Sequence, residues 1–346
     1  MVDFNATDRS RETAPRALRD CGDLHAVLRP WLSALMLLAV VFCAGAHAVG
    51  PGELRIGYQK SSVNLLVARH LGLVERRFPG TRIRWVEFTA GPQLLEALGA
   101  GSLDFGMTGD TPPIFAQAAG RDIFYVGHEP PKPRSSAILV PPDSNISSLP
   151  ALRGKRVAFQ KGSSAHYLVL RALEKGGLRF GDIQPVYLAP ADARAAFENH
   201  SIDAWVIWDP YWAAAARSTR ARVLTTAEGM ADDNTFYESS REFAERHPEV
   251  IQGLFEAIND AAEYVRTRRD EVSGWVAAAT GLEPEAATTF LARRPPSPVS
   301  ELSAAVVERQ QAIADTFAKA GLIPRQIKIQ DAVWRPRLAG PPAASR

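Results

Sequence analysis

Five times the sequence runs a short apolar, strand-like stretch into a small or capping residue that opens a helix. The junctions are Tyr58-Gln59-Lys60-Ser61-Ser62, Thr89-Ala90-Gly91-Pro92, Thr108-Gly109-Asp110-Thr111-Pro112, Lys161-Gly162-Ser163-Ser164 and Trp208-Asp209-Pro210. A helix start leaves up to about four backbone N–H groups unpaired and carries about half a positive charge. Several such starts converging on one crevice bind a small anion without any catalytic group. Charge-assisted hydrogen bonds contribute roughly 1.5–3 kcal/mol each. About four or five of them, less the cost of ordering, reach the ~8 kcal/mol of a micromolar complex. On this reading no Lys or Arg is needed, and Lys60 and Lys161 beside the junctions read as solvated lysines.

Ser163 is a natural cap for a helix over Ser164–Lys175, and the hydroxyls and N–H groups of Ser163 and Ser164 suit an anion. Taken singly, this junction, Thr111-Pro112 and Asp209-Pro210 each read as an ordinary helix start; their recurrence at strand ends is the signal. Asp110 and Asp209 beside an anion cap a helix, orient a neighbouring donor or meet an amino group of the ligand. Trp208 and Tyr58 end their strands, either as core residues or packed on the alkyl part of a ligand.

Catalytic readings fare worse. Ser163 and His166 occur without a G-x-S-x-G elbow, and a cap serine and a residue three on need not face each other productively. His128-Glu129, His166 and His200 lack paired metal-ligand spacing, and neither a P-loop nor a G-x-G-x-x-G is present. The expectation is a binding protein with no catalytic residue, metal or cofactor.

The elements that must position these residues alternate. Leu54–Tyr58 reads as a strand, Ser62–His70 as a helix, and Arg82–Phe88 as a half-buried strand of period two. Pro92–Gly99 places Leu94, Leu95 and Leu98 on one helical face. Leu103–Met107 (strand), Pro113–Ala119 (helix) and Ile123–Val126 (strand) complete a first unit. Pro130-Pro131-Lys132-Pro133 marks a boundary. A second unit repeats the alternation from Ala137 to Leu224, and after about Asn234 the pattern is nearly all helical. Strands separated by single helices imply parallel pairing, with ligands beyond the carboxyl ends of the strands.

Ahead of this lies a polar stretch, then the nearly unbroken apolar run Trp31–Ala44 and the small-x-small site Ala46-His47-Ala48. That is the pattern of a secretory signal cleaved after Ala48, too short for a retained span. Cys43 also permits a lipid-anchored reading. Removing residues 1–48 takes away Cys21 and Cys43, the only cysteines, and leaves a charge of +2. Such a chain has no thiol chemistry and too weak a bias for nucleic acid.

With these residues in hand, the chain resembles the aliphatic sulfonate-binding proteins of ABC importers, within the taurine/nitrate/sulfonate substrate-binding group. The resemblance runs over about Leu54–Pro336. It is carried by Leu54–Lys60, Trp85–Phe88, Ala90–Gln93, Thr108–Asp110, Pro112–Ala119, Val157–Ser164 with His166, Pro190–Phe197 and Ile207–Tyr211. It implies a type II periplasmic-binding-protein fold, an α/β fold of two lobes closing on an organosulfonate in the cleft. Lobe 1 is expected over 49–136 and 234–346 and lobe 2 over 137–233, with hinges near Ser135–Ala137 and Asp233–Tyr237. Implied ligand contacts are Gln59, Ser61, Gly91, Pro92, Gln93, Thr108, Gly109, Asp110, Ser163, Ser164, His166, Trp208 and Asp209. Asn64, Met107 and Tyr167 depart from the common pattern and would reshape the pocket for the tail. The implied role is that of a monomeric periplasmic carrier delivering its sulfonate to an ABC permease and its ATPase for sulfur acquisition. Alternatives are a carrier of another small anion (taurine, nitrate, a sulfate ester) or a pyrimidine-precursor synthase on the same scaffold.

Overall fold

A computed structural model describes residues 51–336 apart from Pro296. The apolar leader, Cys43 and the cleavage site after Ala48 lie outside the described residues.

The first sheet contains β1 (Glu53–Gln59), β2 (Arg82–Phe88), β3 (Phe105–Gly109), β4 (Ile123–Glu129) and β10 (Thr235–Ser240), in the order β2-β1-β3-β10-β4. The second contains β5 (Ser136–Val140), β6 (Arg156–Phe159), β7 (Gln184–Tyr187), β8 (Ala204–Trp208) and β9 (Arg222–Thr226), in the order β7-β6-β8-β5-β9. Edge strand β2 alternates exposed and half-buried residues, whereas β4, β5 and β8 are buried at every position. Strands covered on both faces need apolar residues throughout, and Ala204-Trp-Val-Ile-Trp208 is such a run.

All-parallel pairing, expected from the alternation, does not hold. β5 runs antiparallel to β8 and β9, and β10 runs antiparallel to β3 and β4. Each of these strands follows a short crossing from the other sheet, Pro130–Ser135 before β5 and Ala227–Asn234 before β10. Without a helix to carry the chain back, a strand starts at the end where its neighbours finish and must run the opposite way. The return after Asn234, expected to be nearly all helical, opens with β10, which the sequence pattern does not announce. The crossings and the carboxyl ends of the parallel strands therefore share one crevice.

Helices α1 (Val63–His70), α2 (Leu73–Arg77), α3 (Gly91–Gly99) and α4 (Thr111–Ala118) serve the first sheet, and α5 (Ser164–Lys175), α6 (Pro190–Glu198) and α7 (Tyr211–Ser218) the second. The return adds α8 (Arg241–Arg246), α9 (Pro248–Thr267), α10 (Arg269–Thr280), α11 (Pro284–Arg293) and α12 (Ala304–Lys319). Val250, Leu254, Ile258, Ala261 and Val265 form one buried stripe of α9 and join Ile56, Leu65 and Phe290 in the largest core. Phe317 of α12 meets Phe115 of α4 and His166 of α5 at centroid distances of 5.1 Å each, so α12 touches both halves.

Candidate functional site

All five strand–helix junctions reach the same cavity. It is lined by Gln59 and Ser61, Gly91, Gly109 and Pro112, Ser163 and Ser164, and Trp208, together with Met107, Asp233 and Arg294. The cavity is about 30 Å³, room for roughly two waters or one oxyanion head. The residues opening α1, α3, α4, α5 and α7 make no side-chain capping bond. The first turns of α1, α3, α4 and α5 thus keep N–H groups without a side-chain acceptor, which suits an anion, whereas in α7 the Asp209 carboxylate accepts from Ala213 N.

Ser163 departs from its expected role as a cap. Its Oγ donates to the Gln160 carbonyl at 2.8 Å, leaving the first turn of α5 uncapped. The Ser164 Oγ is buried, has no partner, and lies over Gly109, where an added Cβ would come within 2.2 Å of it. Gln59 is oriented by its amide, which donates to the Met107 carbonyl at 3.0 Å.

A cation was not expected here, and one is present. Arg294, 7% exposed, reaches the cavity from the end of α11. Its Nη1 donates to Ser135 Oγ at 3.1 Å and its Nη2 to Thr235 Oγ1 at 2.7 Å. The hydroxyls of Ser135 and Ser136 in turn donate to Asp233 Oδ2 at 2.7 and 2.6 Å. Arg294 is therefore linked to Asp233 through Ser135, and it has no carboxylate within ion-pair distance among the described residues. Asp233 sits in the left-handed region, φ 52°, where the second crossing turns. Behind it, Lys132 and Glu129 form a buried ion pair at 2.6 Å, and Tyr237 and Asn64 donate to the same carboxylate. A buried arginine already ordered by two hydroxyls, with donors to spare, is a strong oxyanion partner.

Six of the expected contacts do not line this cavity. Pro92 and Gln93 face a neighbouring groove. Thr108 is fully buried, its hydroxyl donating to Glu238 Oε1 at 2.6 Å. Asp110 is fully buried and accepts from the Thr111 hydroxyl at 2.9 Å; burial, then the charge of Asp233, pushes its carboxyl up to about 7. Asp209 is occupied by Arg293, whose Nε and Nη2 meet its two oxygens at 2.7 and 2.8 Å, and it accepts from Ala213 N at 3.0 Å. The helix-start reading of Asp209 holds, and nothing remains for a ligand.

His166 is an aromatic core residue. Its ring stacks on Phe159 at 4.8 Å, with Phe115, Phe180 and Tyr187 around it, and its Nδ1 accepts from Gly162 N at 3.3 Å. Burial, then the nearby Lys161, lowers its pKa to about 3, so it is neutral wherever the protein works. Tyr58 turns away from the cavity to Glu87 and Arg69. Of the departures from the common pattern, Met107 lines the cavity, Asn64 holds Glu129 and the Ser297 carbonyl, and Tyr167 packs on Phe317.

Residues 64–272 match the model of the NMT1/THI5-like family. The chain belongs to the NMT1/THI5-like family. A relative from Escherichia coli K12, named for binding aliphatic sulfonates, is 46% identical over 300 residues, 87% of this chain and 94% of its own. Among solved structures, the alkanesulfonate-binding protein SsuA of Xanthomonas axonopodis pv. citri, bound to MOPS, is 47% identical. It covers 84% of this chain and 100% of that one, with a TM-score of 0.81. The periplasmic aliphatic sulphonate-binding protein SsuA of Escherichia coli is 46% identical, covering 83% and 93%, with a TM-score of 0.77. This member of the NMT1/THI5-like family has the periplasmic-binding-protein fold, two α/β lobes joined by two crossings.

Proposed function

We propose that the protein is the substrate-binding component of an ABC importer. It captures an aliphatic sulfonate between its lobes and presents it to a permease and its ATPase. The observation that carries this reading is the convergence of five helix starts, four of them uncapped, and the buried Arg294 on one cavity of oxyanion size. A sulfonate stays ionised at all working pH values and offers three acceptor oxygens, so converging donors recognise it without proton transfer. Capture is by closure, since the lining residues come from both sheets and neither half holds the anion alone. The lobes are 49–136 with 234–346, and 137–233, hinged at the two crossings. The sulfonate names of close relatives support the ligand class, and the apolar leader supports export to the periplasm with cleavage after Ala48. Nothing in the site is assigned a catalytic step, and the carrier acts as a monomer.

Calorimetric titration with methanesulfonate, butanesulfonate, taurine, sulfate and nitrate tests the reading. Saturable heat with the alkanesulfonates is expected. Heat with sulfate or nitrate alone would replace the sulfonate reading with another anion.

A further inference from the structure

A cavity of about 30 Å³ holds the head of a sulfonate and little else, so any tail must leave it. One wall of that cavity, Pro112, is also a wall of a groove of about 360 Å³. The groove is built from both lobes: Pro92, Gln93 and Leu95 on α3, Phe115 and Ala116 on α4, and Gln160–Gly162 on the turn before α5. The lobes touch here, since a Cβ on Gly162 would sit 3.3 Å from the Phe115 ring. Two further features mark it as more than a gap. The Oε1 atoms of Gln93 and Gln160, one from each lobe, are buried without a hydrogen-bond partner. Buried acceptors left empty are costly, and a ligand donor would repay them. Charges at the rim are mixed, Glu96 against Arg121 and Lys161, with Lys161 resting over the Tyr187 ring at 5.6 Å. That favours an uncharged tail.

We propose that this groove is a tail subsite, taking the uncharged aliphatic chain of a sulfonate whose head fills the Ser164–Arg294 cavity and preferring a chain that carries a hydroxyl donor. The inference rests on the sulfonate reading above and deepens it. Each methylene buried in an apolar groove tightens binding about fourfold. Gln93 thus serves the tail, and the head does without it.

The test is calorimetry of the purified protein with methanesulfonate, hexane-1-sulfonate and 6-hydroxyhexane-1-sulfonate, repeated on Ala119→Trp and Gln160→Leu. Ala119 is exposed on the groove wall at the end of α4, so tryptophan there fills the groove. The expected result is hexanesulfonate bound about tenfold or more tighter than methanesulfonate, and the hydroxylated chain tighter still. Ala119→Trp should abolish the gain from the tail while methanesulfonate stays within about twofold, and Gln160→Leu should abolish the preference for the hydroxyl. Equal affinity for all three ligands, or loss of methanesulfonate and hexanesulfonate in equal measure in Ala119→Trp, would overturn the subsite and leave the sulfonate reading intact. Failure to bind any sulfonate would overturn that reading and the subsite with it.

Discussion

Gly109, at the end of β3, and Ser164, at the start of α5, meet across the crevice so closely that a Cβ on Gly109 would lie 2.2 Å from the Ser164 hydroxyl. One residue belongs to each lobe, and both line the anion cavity. The backbone of Gly109 does not lie in the left-handed region, so alanine fits the strand and clashes only with the facing lobe. Overpacking of this kind costs about 1–3 kcal/mol. Gly109→Ala should therefore weaken methanesulfonate binding by about fivefold to a hundredfold. The melting temperature of the unliganded protein should move by no more than about 2 °C, as calorimetry and thermal denaturation would show.

Arg294 contributes charge and a two-pronged donor geometry. Arg294→Gln removes the charge while keeping a donor for Ser135 or Thr235. Loss of a charge-assisted hydrogen bond costs about 1.5–3 kcal/mol, so methanesulfonate affinity should fall about tenfold to a hundredfold. Arg294→Lys should recover only part of this, because an ammonium cannot hold the two hydroxyls and an oxyanion in one plane. Titration of the variants side by side gives the answer, and unchanged affinity in Arg294→Gln would remove Arg294 from the site.

Binding should strengthen as the pH falls. The folded Asp110 carboxyl is raised from its ordinary value of 3.8 to about 7. Its contribution to stability is complete below the ordinary value and is lost as pH rises through about 7. Ionised Asp110 repels the anion and protonated Asp110 does not, so affinity should rise by up to about tenfold from pH 8 to pH 6. Asp110→Asn should flatten the profile at the low-pH affinity. His166 takes no part, being neutral above about pH 4, and His166→Phe should leave the profile unchanged.

Glu238 is buried in the middle of β10, its carboxyl held well above the usual range by burial. Its Oε1 accepts from the Thr108 hydroxyl at 2.6 Å and so fixes the strand end that leads to Gly109. Its raised folded pKa means that stability is lost as the pH climbs toward that value. Glu238→Gln should fold normally, keep methanesulfonate affinity within about twofold, and lose less stability than the parent as the pH rises above the ordinary carboxylate range, as urea denaturation would show.

The helix starts were legible because their chemistry is local. Gly91-Pro92, Gly109 with Pro112 and Ser163-Ser164 show in a few residues both the end of a strand and the start of a helix, and β2 and α5 have the bounds their sequence patterns predict. β10 was hidden because Thr235-Phe-Tyr-Glu-Ser-Ser240 buries polar side chains as well as aromatic ones, which erases the period of two. Arg294 was hidden for another reason. It and Arg293 are adjacent and identical in type, yet Arg293 closes on Asp209 while Arg294 turns to Ser135 and Thr235. Only the packing of α11 against the first crossing and the start of β10 separates them, and no local pattern encodes that. His166 misled in the opposite sense, since a histidine one turn into a helix reads the same whether it meets a ligand or fills a core.

The most direct test is a crystal structure of the protein grown with methanesulfonate. The sulfonate should lie in the cavity between Gly109 and Ser164, its oxygens within hydrogen-bond distance of the Ser164 N–H and the Arg294 guanidinium. A sulfonate bound elsewhere, or held there by side chains with the N–H groups of α5 turned away, would contradict this.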